Sequence, residues 1–356
     1  LIEETEEALE RSDTDSLMKD EFFDKLSIEE KISQMIAYPI VIDKVDNIDN
    51  GEEKFIDELS PGFITIFGQE IASDSAKQKV TEINNLYKDN VFSPRFIVDH
   101  EGGSVQRLSG KGYTVLPSWK ETCELGEIKM ANLLEKSARE LKSTGIDIVL
   151  APVLDVGENP ILKDRICSDS YAVVADKSVV YARAFGSFGI LPVLKHFPGI
   201  GNINKDLHTD FDFVEVLQND AELYKYVIEE SLGVGVMVSH AGVLNQDSQV
   251  PCSLSKSCVD ELKNTYANIL VFSDALEMKS ASFDKANVSE EKGLVQVSKE
   301  AVIAGNEILI YGQSIGSVDI KDIVFSLSKE YRNNPEFKEL IDQAVLKIVN
   351  YKYAER

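Results

Sequence analysis

Short β-branched and aromatic runs recur along this chain with longer segments of helical period between them, and this alternation constrains the fold more than any other feature. Eight runs stand out: Met35 to Val41, Phe63 to Phe67, Phe96 to Val98, Ile146 to Ala151, Ile190 to Leu194, Val234 to Val238, Ile269 to Phe272 and Glu307 to Tyr311. Between them lie Met130 to Lys142, Ser178 to Phe188, Ala221 to Leu232 and Lys292 to Ala304, whose apolar residues return every three to four positions. Such alternation implies parallel strands joined by crossover helices. Eight units in 356 residues predict an α/β fold, a single-domain (β/α)8 TIM barrel; an open doubly wound sheet is the alternative that the pattern leaves standing. No Pro/Gly/Ser-rich linker divides the chain, and prolines such as Pro61, Pro94, Pro117 and Pro152 fall at element edges. The expected layout is an acidic N-terminal extension over residues 1–20 and one barrel with C-terminal helices over 21–356.

Charge narrows the partners. Thirty-seven basic against sixty-one acidic residues leave a net charge of −24, which repels nucleic-acid phosphates and anionic lipid surfaces. Nucleic acid is therefore not an expected partner. No apolar run approaches the roughly 18 residues of a membrane-spanning helix. The chain opens at Leu1 with a polar, acidic stretch to Asp20 and no apolar signal core, which predicts that an upstream segment has been removed. The compartment, exported (periplasmic or lipid-anchored) or cytoplasmic, and the oligomeric state are left open. Cys123, Cys167, Cys252 and Cys258 form no C-x-x-C pair and the four histidines no H-x-x-x-H, so neither a metal site nor a redox motif is expected, and one or two disulfides are allowed.

In a barrel, side chains just beyond the strands converge at the carboxyl-terminal mouth. Here those positions are Asp99-His100-Glu101-Gly102-Gly103 after the third run, Asp155 after the fourth, Lys195-His196 at the fifth, His240 after the sixth and Asp274 after the seventh, with His208 a dozen residues past His196. A lone polar residue at such a point reads as a cap or turn. Five exits carrying ionisable groups together read as a site. No Walker loop, G-x-G-x-x-G or G-x-S-x-G elbow is present, which removes the usual phosphate, dinucleotide and serine-hydrolase chemistries. What is left is a mouth of carboxylates with a histidine, suited to proton transfer and carboxylate attack, as in glycoside hydrolysis.

Lys195-His196-Phe197-Pro198-Gly199-Ile200-Gly201, followed by Asp206-Leu207-His208, resembles the KHFPGHG…D-x-H signature of glycoside hydrolase family 3 β-N-acetylhexosaminidases of the NagZ type. Supporting matches are Leu26 to Lys31, Asp99 to Leu108 (DHEGGSVQRL), Ala151 to Val156, Asp164-Arg165 and Phe272 to Met278 (FSDALEM). The resemblance spans roughly residues 21 to 312. It implies a retaining exo-β-N-acetylglucosaminidase that removes terminal β-linked N-acetylglucosamine from peptidoglycan or chitin-type fragments, with no metal or organic cofactor. Asp274 would be the nucleophile, His208 the general acid/base and Asp206 its orienting partner. Asp99, Arg165, Lys195 and His196 would hold the sugar, with Arg107 and His240 either joining that set or supporting it. A β-glucosidase of the same family, or a degenerate barrel that only binds sugars, are the rival readings.

The sequence departs from the signature at four places. Ile200 replaces its second histidine, Gly201-Asn202 its Gly-Asp, Ser104 the arginine after EGG, and Ile166-Cys167 the serine and aromatic after Asp-Arg. These touch the loop bearing His208 and the pocket wall, not Asp274 or His208. Two glycines and three polar residues between Gly199 and Asp206 predict a loop that does not pack as core and stays mobile.

Overall fold

In the computed structural model, which describes residues 22–42, 50–215, 218–244, 250–283 and 292–354, each of the eight runs holds a parallel strand. These are β1 Ile36–Val41, β2 Phe63–Phe67, β3 Arg95–Val98, β4 Ile148–Val149, β5 Leu191–Phe197, β6 Gly235–Val238, β7 Leu270–Ser273 and β8 Leu309–Ile310. They pair in chain order from β1 to β7, and β8 pairs back onto β1 with Ile36 opposite Leu309. A bridge between Phe272 and Ile308, with the Ser273 N–H donating to the Ile308 carbonyl at 2.9 Å, closes the ring. The fold is a (β/α)8 barrel, not an open sheet. The residues assigned to the N-terminal extension lie outside those described. Among the described residues no helix is long and apolar enough to cross a membrane.

The helical runs fall on Glu127–Thr144, Tyr171–Gly186, Gln218–Glu230 and Leu294–Ala304, the second and third running two residues past the helix end and the fourth starting two residues before it. Three of them extend beyond the apolar pattern at the N-terminus, because exposed first-turn residues add no apolar repeat. The run at Leu26 to Lys31 is a helix start. Ser27 and Glu30 form a reciprocal capping box that satisfies two otherwise orphaned backbone donors. The C-terminal helical stretch is two helices, Ser317–Asn333 and Pro335–Ala354. Pro335 has no N–H to carry the ladder through, and the Asn334 side chain instead accepts from the N–H groups of Glu336 and Phe337 at 3.1 and 3.2 Å.

That last helix seals the amino-terminal end of the barrel. Its Lys352 is buried, and Nζ donates to Gln34 Oε1 at 2.8 Å and to the Gly62 carbonyl at 2.7 Å while lying over the Phe63 ring. A buried ammonium is tolerated because oxygen acceptors and an aromatic face replace its water. Glu307, at the start of the eighth run, is likewise buried at the strand entry, where it accepts from Lys263, Lys347 and the Val271 N–H. With this end closed by structure, the opposite mouth is the one open to solvent chemistry.

Candidate active site

The mouth holds a cavity of about 510 Å³, lined by residues from the exits of at least seven strands, among them Phe67, Asp99, Arg107, Arg165, Lys195, His196, Asp206, His208, Asp274 and Gly312. Its polar wall is an ion cluster around a carboxylate. Glu101, on a short strand His100–Gly102 that folds back onto Val105–Gln106, accepts from Arg165 Nε at 2.7 Å and Nη2 at 2.9 Å and from Lys195 Nζ at 2.6 Å. Lys195 also reaches Asp99 Oδ1 at 3.1 Å, and Arg107 Nη2 reaches Asp99 Oδ2 at 3.3 Å. Three cations and two carboxylates thus meet from three separate stretches of chain, Asp99 to Arg107, Arg165 and Lys195.

Burial alone would push the Glu101 carboxyl up, but Arg165 and Lys195 outweigh it and hold it at about 2. Burial likewise opposes the charge on Lys195, and Glu101 with Asp99 holds its ammonium above the ordinary value. Glu101 therefore stays ionised and cannot serve as a proton donor. Because its folded value is depressed, its contribution to stability is complete above the ordinary carboxylate range and is lost as pH falls toward 2. Glu101→Ala leaves two cations short of a partner in a buried place. It is expected to cost about 3–5 kcal/mol in denaturant unfolding and to raise KM, since Lys195 and Arg165 lose their anchor.

Cations held this way keep donors to spare. An ammonium has three N–H groups and Lys195 commits two; Arg165 uses Nε and Nη2, leaving Nη1. His196 is fixed by Asp155, a buried carboxylate that accepts from His196 Nδ1 at 2.7 Å and from the Ile200 N–H at 2.7 Å. The Nε2 nitrogen is thereby left for the cavity.

Facing this wall, Asp274 follows β7 directly. Its N–H donates to the Val238 carbonyl at 3.0 Å, and its Oδ1 accepts from the Ala275 N–H at 2.8 Å, leaving Oδ2 uncommitted. Burial raises the Asp274 carboxyl, but His196, His240, the Ala275 N–H and His208 together bring it below its usual range. The carboxylate is ionised at neutral pH.

Asp206 and His208 stand on the loop after β5. Asp206 Oδ1 accepts from the His208 N–H at 3.0 Å and lies 2.7 Å from its Nδ1, so Nε2 is the nitrogen free to exchange a proton. The expectation of a loop without packed side chains is corrected here. Ile200, Ile203 and Leu207 are buried, and the N–H groups of Lys279 and Ser280 donate to the His208 and Leu207 carbonyls at 3.3 and 3.2 Å. Every third or fourth residue of this segment is an apolar anchor, and its carbonyls are tied to the loop that follows Asp274. Gly201 allows the close approach: a Cβ there would stand 2.0 Å from the Val156 carbonyl oxygen.

Two histidines fall elsewhere than the strand exits suggest. His100 turns into the helix layer, bonding Ser137 Oγ at 2.7 Å, and burial lowers it to about 3. His240 does not line the cavity. It is fully buried, with Nε2 2.9 Å from the Ala275 carbonyl and Nδ1 2.5 Å from Ser253 Oγ, behind the turn that carries Asp274. Glu101 and Asp155, which the sequence offers only as strand-exit carboxylates, prove to be the groups that anchor, respectively, Arg165 with Lys195 and His196. Among the described residues no group of three or more His, Cys, Asp or Glu side chains could hold a metal ion.

Residues 27–350 match the sequence profile described as the glycosyl hydrolase family 3 N-terminal domain. The chain belongs to glycosyl hydrolase family 3. This family 3 chain is 28% identical to a beta-hexosaminidase of Psychromonas ingrahamii over 284 residues, 76% of this chain and 83% of that one. It is 28% identical to the beta-hexosaminidase LpqI of Mycobacterium tuberculosis over 269 residues, 72% of this chain and 67% of that one. The crystal structure of a beta-N-acetylhexosaminidase from Beutenbergia cavernae shares the fold, with a TM-score of 0.81 at 21% identity over 92% of this chain and 99% of that one.

The departures from the family 3 signature now have places. Ile200 lines the cavity, while its backbone serves Asp155 and accepts from Asn159 Nδ2 at 2.7 Å. Those backbone bonds do not depend on the side chain. Ser104 is exposed at the hairpin tip, outside the cavity. Cys167 bonds Cys123, tethering the turn Lys163–Arg165 to the helix Trp119–Cys123, and Cys252 bonds Cys258. The bridges close spans of 44 and 6 residues, so by loop-closure entropy Cys123→Ser is expected to cost about 4 kcal/mol and Cys252→Ser about 2 kcal/mol in urea unfolding.

Proposed function

We propose that this family 3 hydrolase is a retaining exo-β-N-acetylglucosaminidase in which Asp274 is the nucleophile, His208 the general acid/base and Asp206 its orienting partner. The observation that carries the reading is the convergence, in one cavity, of an ionised carboxylate at the β7 exit and a carboxylate-bound histidine, opposite a wall of donors with free valences. The relatives named beta-hexosaminidase support the choice of sugar.

In the first step Asp274 Oδ2 bonds the anomeric carbon as the bond from that carbon to the leaving oxygen breaks, and His208 Nε2 gives the leaving oxygen its proton. In the second, His208 takes a proton from water, the water oxygen bonds the anomeric carbon, and the bond to Asp274 breaks. Asp206 favours the charged imidazolium that precedes the first step and is restored by the second; between the two the ring is neutral. Asp99 accepts from ring hydroxyls, Lys195, Arg165 and Arg107 donate to the sugar, and His196 meets it through Nε2. His240 acts behind Asp274, by holding the Ala275 carbonyl. The natural substrates in this reading are peptidoglycan or chitin-type fragments ending in β-linked N-acetylglucosamine.

The test is turnover of chromogenic β-N-acetylglucosaminide and β-glucoside side by side, with the first-formed sugar followed by NMR. Faster turnover of the acetamido sugar and release of its β-anomer are expected, because two inversions restore the configuration. Preference for the glucoside would move the protein to the β-glucosidases, and initial α-anomer would contradict the double displacement.

A further inference from the structure

One carboxyl group in the cavity has no part in the scheme above. Glu277 lies one turn past Asp274 and lines the same cavity, facing the exit of β8. Its Oε2 accepts from the Gly312 N–H at 3.0 Å. Its Oε1 occupies the space of a missing side chain, since a Cβ on Gly312 would lie 1.9 Å from it. Gly312 is thus the residue that admits this carboxyl to the wall. Among the described residues no lysine or arginine pairs with Glu277, whereas Asp99 and Glu101 are each paired with cations. Burial pushes the carboxyl up, the Gly312 N–H opposes this, and Asp274 adds to the rise. A carboxylate in this position has no cation to match it and keeps acceptor capacity beyond the Gly312 N–H, and the ligand can bring a further donor.

The chemistry of a pyranose decides which donor. Asp274 addresses the anomeric carbon, and of the two ring neighbours of that carbon, the ring oxygen carries no hydrogen. The donor next to the reacting carbon is therefore the substituent on C2: an amide N–H in an acetamido sugar, a hydroxyl in glucose. Hydrogen bonds at this position are among those that strengthen as the transition state forms. Resting on the assignment of Asp274 as nucleophile, we infer that Glu277 is a specificity-determining residue whose carboxylate accepts the hydrogen bond of the C2 donor, the acetamido N–H of the bound sugar.

Glu277→Gln tests this with little change of shape. The single amide oxygen of glutamine is claimed by the Gly312 N–H, which turns its NH2 toward the ligand, so that donor faces donor. Chromogenic β-glycosides of N-acetylglucosamine, glucose and 2-deoxyglucose are compared on wild type and variant, with thermal unfolding as the check on folding. The expected result is a fall in kcat/KM of about 10- to 100-fold for the two sugars with a C2 donor and a change within about twofold for the 2-deoxy sugar. Glu277→Ala, which removes the acceptor without adding a donor, is expected to change the ratio in the same direction. Equal losses on all three substrates, or no loss on any, would overturn the inference. A wild type that turns over glucosides and not N-acetylglucosaminides would overturn the proposed function instead, and the glucose to 2-deoxyglucose ratio would still decide the role of Glu277.

Discussion

Asp274→Ala is expected to lower turnover of a chromogenic β-N-acetylglucosaminide by about 10⁴-fold or more, because it removes the oxygen that forms the covalent intermediate. The fold should survive. The backbone bond from Asp274 to the Val238 carbonyl persists in the variant, and among the described residues the lost side chain accepted only the Ala275 N–H. Circular dichroism and a thermal melt close to wild type, together with the loss of activity, would place the defect in chemistry. Near wild-type turnover would remove Asp274 from the mechanism.

His208→Ala should divide substrates by leaving group. A sugar or alkyl leaving oxygen needs a proton as it departs, so its hydrolysis is expected to fall by about 10²- to 10⁴-fold, the usual worth of general acid catalysis. An activated dinitrophenol leaves as its anion, and its formation of the covalent intermediate should change by less than about tenfold. Asp206→Ala should show the same bias more weakly. Desolvation raises the Asp206 carboxyl, but the His208 N–H and ring outweigh it and hold it below its usual range, so the pair is coupled through the imidazole. Removing Asp206 loosens His208 and takes away the carboxylate that orients its ring, without deleting the proton carrier. Equal losses for both leaving groups would mean that His208 shapes the pocket only.

The backbone architecture was legible because β-strand and helix periods are one-dimensional signals. All eight strands lie on β-branched runs, although β4 pairs over only Ile148–Val149 where the apolar run is six residues long. The family resemblance rested on a similarly local object, the run from Lys195 to His208. The break at Asn334–Pro335 was also written locally, in a proline that an apolar-period reading passes over.

Side-chain direction and partnership were not legible in the same way. His100 and Glu101 are neighbours in the chain, yet one turns into the helix layer toward Ser137 while the other anchors Arg165, 64 residues away. The pairing of Cys123 with Cys167, the burial of Ile203 and Leu207 in a loop rich in polar residues, and the approach of Glu277 to Gly312 belong to the same class. By itself the sequence determined which residues reach the barrel mouth, since strand period and strand order place each exit along the chain. Only the tertiary structure decided which of those residues face the cavity and which carboxylates are matched by a cation, because burial and Coulomb interaction depend on neighbours in space.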